Sequence, residues 1–202
     1  IQANVTNGQW TNFQFSFTYP PQLNALRSLD HQNIVRFVEA IEVVDEFNCE
    51  TKYIVMDYCN QGDLQRYMKK NYVKKPLPAQ KLISFMIDLM RGVSFLHQQK
   101  YVHHDLKPAN LLLSNGSLLI ADFGFTTHES DTSPIIGGTP AYLSPEHSSN
   151  EAKNYKGDVW ACGCIAFELI TRTVQQKRKL CEASGHNLQW FKDLWSVHVV
   201  QT

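Results

Sequence analysis

The sequence predicts an α+β fold, and three observations carry that prediction. Polar/apolar alternation and β-branched runs crowd the chain up to Tyr58, and helical periodicity dominates after Gly62. Between the helices lies one leucine-rich hairpin pattern, Leu111 to Ile120. Strands first and helices after are the order of an α+β chain rather than of alternating βα units. With 202 residues, 43% of them hydrophobic, the chain can bury one core and build one domain, or one and part of another.

In chain order, phenylalanines alternate with polar residues from Asn12 to Phe17, which suits a short strand. Pro20-Pro21 sets the start of a short helix from Leu23 to Leu29. Ile34 to Val44 and Lys52 to Tyr58 read as two strands joined by the acidic loop Asp45 to Glu50. Gly62-Asp63 opens a helix, with Asp63 as its N-cap, and Pro76 and Pro78 close the loop after it. From Ala79 to about Gln98, the apolar residues Leu82, Met86, Leu89, Val93 and Leu96 draw one stripe along one helix face. Leu111-Leu112-Leu113 and Leu118-Leu119-Ile120 flank Ser-Asn-Gly-Ser, and Asn115-Gly116 fits a tight two-residue hairpin turn. Asp158 to Ile170 is apolar nearly all round, so it is expected to be a buried central helix.

Composition excludes several classes of function. Nineteen basic residues balance nineteen acidic ones, so no global field draws nucleic acid or an anionic membrane. The basic run Arg172 to Lys179 reads as a solvated face or tail. No apolar stretch reaches the roughly 18 residues of a membrane span. The five cysteines, Cys49, Cys59, Cys162, Cys164 and Cys181, are irregularly spaced and read as small hydrophobes of a reducing compartment. Asn4-Val5-Thr6 and Asn115-Gly116-Ser117 match the glycosylation pattern, but without a secretory signal both read as chance. The first residue is isoleucine, as expected of a fragment or an incomplete gene model.

The chemistry is concentrated in residues 101 to 124, YVHHDLKPANLLLSNGSLLIADFG. A hairpin returns the chain to its start. Asp105, Lys107 and Asn110 before it should therefore cluster with Asp122 after it. Two carboxylates, an amide oxygen and an ammonium suit Mg²⁺ and phosphate better than zinc. Phosphoryl transfer needs that inventory: an acid to orient the hydroxyl, metal ligands, and a cation near the migrating group.

Here the residues reach a family. His103-His104-Asp105-Leu106-Lys107-Pro108-Ala109-Asn110 resembles the protein-kinase catalytic loop, and Asp122-Phe123-Gly124 matches its D-F-G motif. Gly138 to Glu146, GTPAYLSPE, is similar to the end of an activation segment. Asp158 to Gly163, DVWACG, is similar to the start of the central helix, and Tyr53 to Asp63, YIVMDYCNQGD, to the adenine-binding hinge. These five motifs fall in the family's order and spacing across residues 29 to 170, in a style similar to the NimA-related and autophagy-initiating kinases.

The resemblance implies a partial, β-rich small lobe (1–56), a mainly helical large lobe (57–170) and a divergent tail (171–202). It implies an intracellular, cytoplasmic serine/threonine kinase that uses ATP and Mg²⁺ on a protein substrate. Asp105 is then the residue that accepts or orients the substrate proton, and Lys107 steadies the γ-phosphate. Asn110 and Asp122 hold Mg²⁺, Asn110 serving both catalysis and metal. Met56 is the gatekeeper, Asp57, Tyr58 and Cys59 offer backbone groups to adenine, and Leu112 belongs to the same site. Asp63 reaches ribose or substrate. His103 is expected to pack in the core. Asp158 is either a helix cap or, as in the family, a brace for the catalytic loop.

Several positions depart from the family. Gly8 is the one glycine before Gly62, no lysine precedes Lys52, and Gln22 stands where a helix glutamate is expected. The phosphate clamp is therefore expected to be poor. A catalytically silent pseudokinase scaffold, or an unstable gene fragment, stays open as the alternative. His104 replaces the arginine that pairs with a phosphorylated activation segment, and Ile135 stands where the phosphothreonine is usual. The expectation is a lost regulatory handle with the four chemical residues intact, Thr132 and Ser133 being the remaining phosphorylation candidates. After Ile170, Trp190, Phe191, Leu194 and Trp195 are expected to cover part of the large-lobe core.

Overall fold

The computed structural model describes residues 2–4, 11–17, 25–44, 50–72, 77–131, 137–144 and 155–171. The expectations for Gly8, Gln22, Leu23, Cys49, Pro76, Thr132, Ser133, Ile135, Glu146, Cys181, the basic run and the terminal aromatic residues lie outside these.

The chain opens with β1 (Gln2–Asn4) and β2 (Thr11–Phe17), then residues 25–28 are helical, then β3 (Phe37–Val44) and β4 (Glu50–Asp57) follow. These four strands form one antiparallel sheet in the order β1-β2-β4-β3. Phe13 faces Asp57 and Phe37 faces Met56, so β4 is the central partner of β2 and β3.

The second strand expected from sequence begins later than its β-branched start. Ile34 and Val35 leave the sheet: Ile34 bridges to Ile120, and the Val35 amide donates to the Ile120 carbonyl at 2.9 Å. Asn33 completes this seam, accepting from the Ile120 amide at 2.8 Å and donating through its side chain to the Leu118 carbonyl at 3.0 Å.

Helix α1 (Leu64–Asn71) starts where expected, the Asp63 side chain accepting from the Arg66 amide at 2.8 Å. Helix α2 (Ala79–Gln98) has the expected bounds, and Met86, Leu89, Val93 and Leu96 of its apolar stripe are buried. Two-residue strands β5 (Tyr101–Val102) and β8 (Thr127–His128) pair with each other. Between them, β6 (Leu111–Ser114) and β7 (Ser117–Ile120) form the hairpin, with Asn115 at φ 51° and Gly116 at φ 87°. Positive φ at both central residues is the mirror-image turn that matches strand twist, which explains the Asn-Gly pair.

Helix α3 (Tyr155–Thr171) begins three residues before the expected Asp158, so Asp158 lies within its first turn and is not its cap. One continuous core joins Leu26 and Ile34, Phe85 and Leu89 of α2, Leu111, Leu113 and Leu118 of the hairpin, and Ile165 of α3. The cysteines behave as expected where they are described: Cys59, Cys162 and Cys164 are buried free thiols. Among the described residues no helix is long and apolar enough to cross a membrane.

Candidate active site

The loop between β5 and β6 is held by a buried carboxylate. Asp158 accepts the amides of His103 at 2.9 Å and His104 at 3.0 Å, and His97 at the end of α2 meets the same carboxylate at 2.9 Å. Full burial alone would raise the Asp158 carboxyl, but the His97 hydrogen bond, the neighbouring His103 and His97 rings and the His103 amide hold it below its ordinary value. Of the two readings of Asp158, the brace is the one observed.

His103 is fully buried, as expected. Its Nε2 lies 3.1 Å from the Ala121 carbonyl and its Nδ1 accepts the Asp105 amide at 3.3 Å, so one ring ties the loop before β6 to the residue before Asp122. The ring also packs on Phe123, with centroids 5.3 Å apart.

Asp105, only 4% exposed, is surrounded by donors. Lys107 Nζ lies 2.6 Å from Oδ2, Thr139 Oγ1 donates to Oδ1 at 2.6 Å, and Asn110 Nδ2 donates to Oδ2 at 3.0 Å and to the Asp105 carbonyl at 2.9 Å. Lys107 also donates to Thr139 at 2.9 Å, closing a triangle of ammonium, hydroxyl and carboxylate. Charge-assisted bonds of this length fix a side chain in one orientation.

Asp122 stands one residue beyond Ala121, whose amide donates to the Asn110 carbonyl at 2.9 Å. The hairpin therefore pairs the residue before Asp122 with Asn110. No hydrogen bond joins the Asp122 side chain to Asp105 or Asn110 among the described residues. Asp122 sits in the left-handed region at φ 61°, and its exposed carboxylate meets the Gly124 amide at 3.4 Å. With the Asn110 amide nitrogen committed to Asp105, its Oδ1 and the Asp122 carboxylate remain as oxygen donors. Such a set fits a hard cation like Mg²⁺. Among the described residues no group of three or more His, Cys, Asp and Glu is placed to hold a metal ion.

At the end of β4 and just after it, Met56 and Cys59 are buried while Asp57 and Tyr58 are half-buried. Arg36 grips the Asp57 carboxylate with two bonds of 2.8 and 2.9 Å, and the Asp57 amide donates to the Arg36 carbonyl at 3.1 Å. Burial, helped by the Asp57 charge, pushes the Cys59 thiol up to about 11, so it stays protonated and unreactive at neutral pH. Further along, the Gln61 amide donates to the Leu113 carbonyl at 3.0 Å and the Leu113 amide to Gly62 at 2.8 Å. This seam sets Leu112 opposite Asp63.

Two participants, Thr139 and His97, carried no assigned role in the sequence reading. Thr139 lay inside a quoted motif, yet nothing local marks its hydroxyl as a partner of Asp105. His97 ends a helix with no pattern that points to Asp158. His104 was read as a loss, yet its Nε2 makes a 2.9 Å hydrogen bond with Thr127 Oγ1 on β8.

The pattern of the protein kinase domain matches residues 18–195. The chain is 38% identical over 157 residues to serine/threonine-protein kinase ATG1a of Arabidopsis thaliana, an alignment that covers 74% of this chain and 24% of that protein. It is 35% identical over 150 residues to Nek4 of Mus musculus (72% and 18%) and 34% identical over 158 residues to Nek2 of Homo sapiens (73% and 35%). The chain thus spans between 18% and 35% of the length of these relatives.

Proposed function

The chain belongs to the protein kinase domain family, and on that premise we propose that it transfers the γ-phosphate of ATP to serine or threonine hydroxyls of a protein substrate. The observation that carries the reading is the braced Asp105 carboxylate, held at once by Lys107, Thr139 and Asn110. A carboxylate fixed this way orients an incoming hydroxyl and takes its proton as the oxygen attacks. Lys107 steadies the γ-phosphate from its place between Asp105 and Thr139.

Asn110 Oδ1 and Asp122 would hold Mg²⁺, which when bound neutralises phosphate oxygens. Met56 is the gatekeeper of the adenine site, the backbone of Asp57 to Cys59 serves the adenine edge, and Leu112 lines the site opposite Asp63. Asp63 reaches ribose or substrate while it caps α1. The free buried thiols of Cys59, Cys162 and Cys164 support a reducing, intracellular location. Residues 1–56 act as a partial small lobe and 57–170 as the large lobe.

A specific observation favours a second reading, a catalytically silent scaffold. Strand β2, beside β4, has the sequence TNFQFSF and supplies no lysine to clamp the α- and β-phosphates. Calorimetric titration with ATP, with and without Mg²⁺, separates the two. The kinase reading expects binding that needs Mg²⁺ and weakens in Asp122→Ala. Binding indifferent to Asp122→Ala removes Asp122 from the metal site, and a stably folded chain that binds no nucleotide supports the scaffold.

A further inference from the structure

We propose that Thr127 is a positioning residue for the catalytic loop, acting through the imidazole of His104. The inference rests on the kinase reading of Asp105 and deepens it, because it names what holds that loop in register.

His104 immediately precedes Asp105 and adopts a left-handed backbone at φ 66°. A non-glycine residue keeps that conformation only where its surroundings over-determine it. Two visible contacts do so from opposite sides: its amide donates to Asp158 Oδ1 at 3.0 Å, and its ring Nε2 meets Thr127 Oγ1 at 2.9 Å. The carbonyl of the same residue abuts the far end of the activation segment, where a Cβ added to Gly138 would come within 3.1 Å of it. His104 therefore joins α3, β8 and residue 138 at the peptide that leads into Asp105.

Thr127 is the fixed post in this arrangement. It faces Val102 in the β5–β8 pair. Two residues on, Glu129 is fastened independently of His104: its amide donates to the Lys100 carbonyl at 2.8 Å, its carboxylate pairs with the Lys100 ammonium, and Tyr155 of α3 donates to that carboxylate at 3.1 Å. The Tyr155 ring in turn lies against His97, centroids 4.7 Å apart, and His97 meets Asp158. The contacts close a ring from Thr127 through His104, Asp158, His97 and Tyr155 back to Glu129. Removing the Thr127 hydroxyl opens that ring at the link between β8 and the residue before Asp105. The strained 104–105 peptide then relaxes, while β8 stays anchored through Glu129.

The test compares the full 202-residue chain with Thr127→Val, which keeps shape and β-branching, and Thr127→Ser, which keeps the hydroxyl. Amide hydrogen exchange is read at residues 103–105 and along α2 and α3, together with kcat and KM for ATP in phosphate transfer. The valine variant should exchange about tenfold faster at His104 and Asp105, with α2 and α3 unchanged, and serine should restore protection. In the transfer assay kcat should fall by a similar factor with KM unchanged. Unchanged exchange at 103–105, an equal rise throughout α2 and α3, or failure of serine to restore protection would each overturn the proposal. If the chain transfers no phosphate, the kinase reading fails separately and the exchange measurement alone decides the role of Thr127.

Discussion

The Asp158 carboxylate accepts the His104 amide at 3.0 Å across 54 residues of sequence. The same carboxylate serves the His103 amide and His97, so one buried charge organises the approach to the catalytic loop. In Asp158→Ala two amides and an imidazole lose their partner in a dry site. We expect a loss of about 3 kcal/mol in stability, measured by urea denaturation, with activity lost in proportion to the disordered loop.

That carboxyl also makes stability depend on acid. Its folded value lies below the ordinary 3.8, so the unfolded chain takes up the proton first as pH falls. The stabilisation is complete above the ordinary value and disappears as the pH drops through the folded one. Urea midpoints should decline below about pH 4 in the wild type, and Asp158→Asn should show a smaller decline over the same window.

Thr139 donates to Asp105 and accepts from Lys107, which themselves touch at 2.6 Å, so its hydroxyl orients both charges. Thr139→Val removes both bonds and leaves Asp105 Oδ1 without the hydroxyl that fixes it. Steady-state assays should show kcat lowered about ten- to a hundredfold with KM for ATP nearly unchanged. A change in KM alone would make Thr139 a binding residue instead.

Gly92 of α2 packs directly against the hairpin. A Cβ there would meet Ile120 Cδ1 at 2.7 Å and the Asn33 carbonyl oxygen at 2.9 Å. The Ile120 tip could rotate, but the carbonyl is backbone and already accepts the Ile120 amide. Gly92→Ala gains about 1 kcal/mol of helix propensity and loses about 1–3 kcal/mol to overpacking. Thermal unfolding should therefore show a lower Tm; a raised Tm would mean the seam between Asn33 and β7 yields more easily than its bonding suggests.

Much of this was legible locally. The Leu triplets and Asn115-Gly116 specify their hairpin because burial and turn geometry are both written within ten residues. The stripe from Met86 to Leu96 specifies α2 in the same way. What escaped was partner choice. Ile34 and Val35 look like strand residues, and they do make ladder-like bonds, but with Ile120 rather than with β4. Tyr155, Lys156 and Gly157 hid the first turn of α3, since a glycine among polar residues carries no helical period. In the site, Asp105, Lys107 and Asn110 announced themselves by spacing, whereas Thr139, His97 and Thr127 act through contacts 23 to 61 residues distant. His104 shows the limit most sharply: its hydrogen bond with Thr127 has no local signature in the sequence.

The measurement that bears most directly on the account is phosphate transfer from γ-labelled ATP to a serine- and threonine-containing protein, comparing wild type with Asp105→Asn. The account predicts Mg²⁺-dependent transfer by the wild type and none detectable in the variant, which should still bind nucleotide and unfold cooperatively. Equal transfer by both, or none by a folded wild type, would contradict the role assigned to the Asp105 carboxylate.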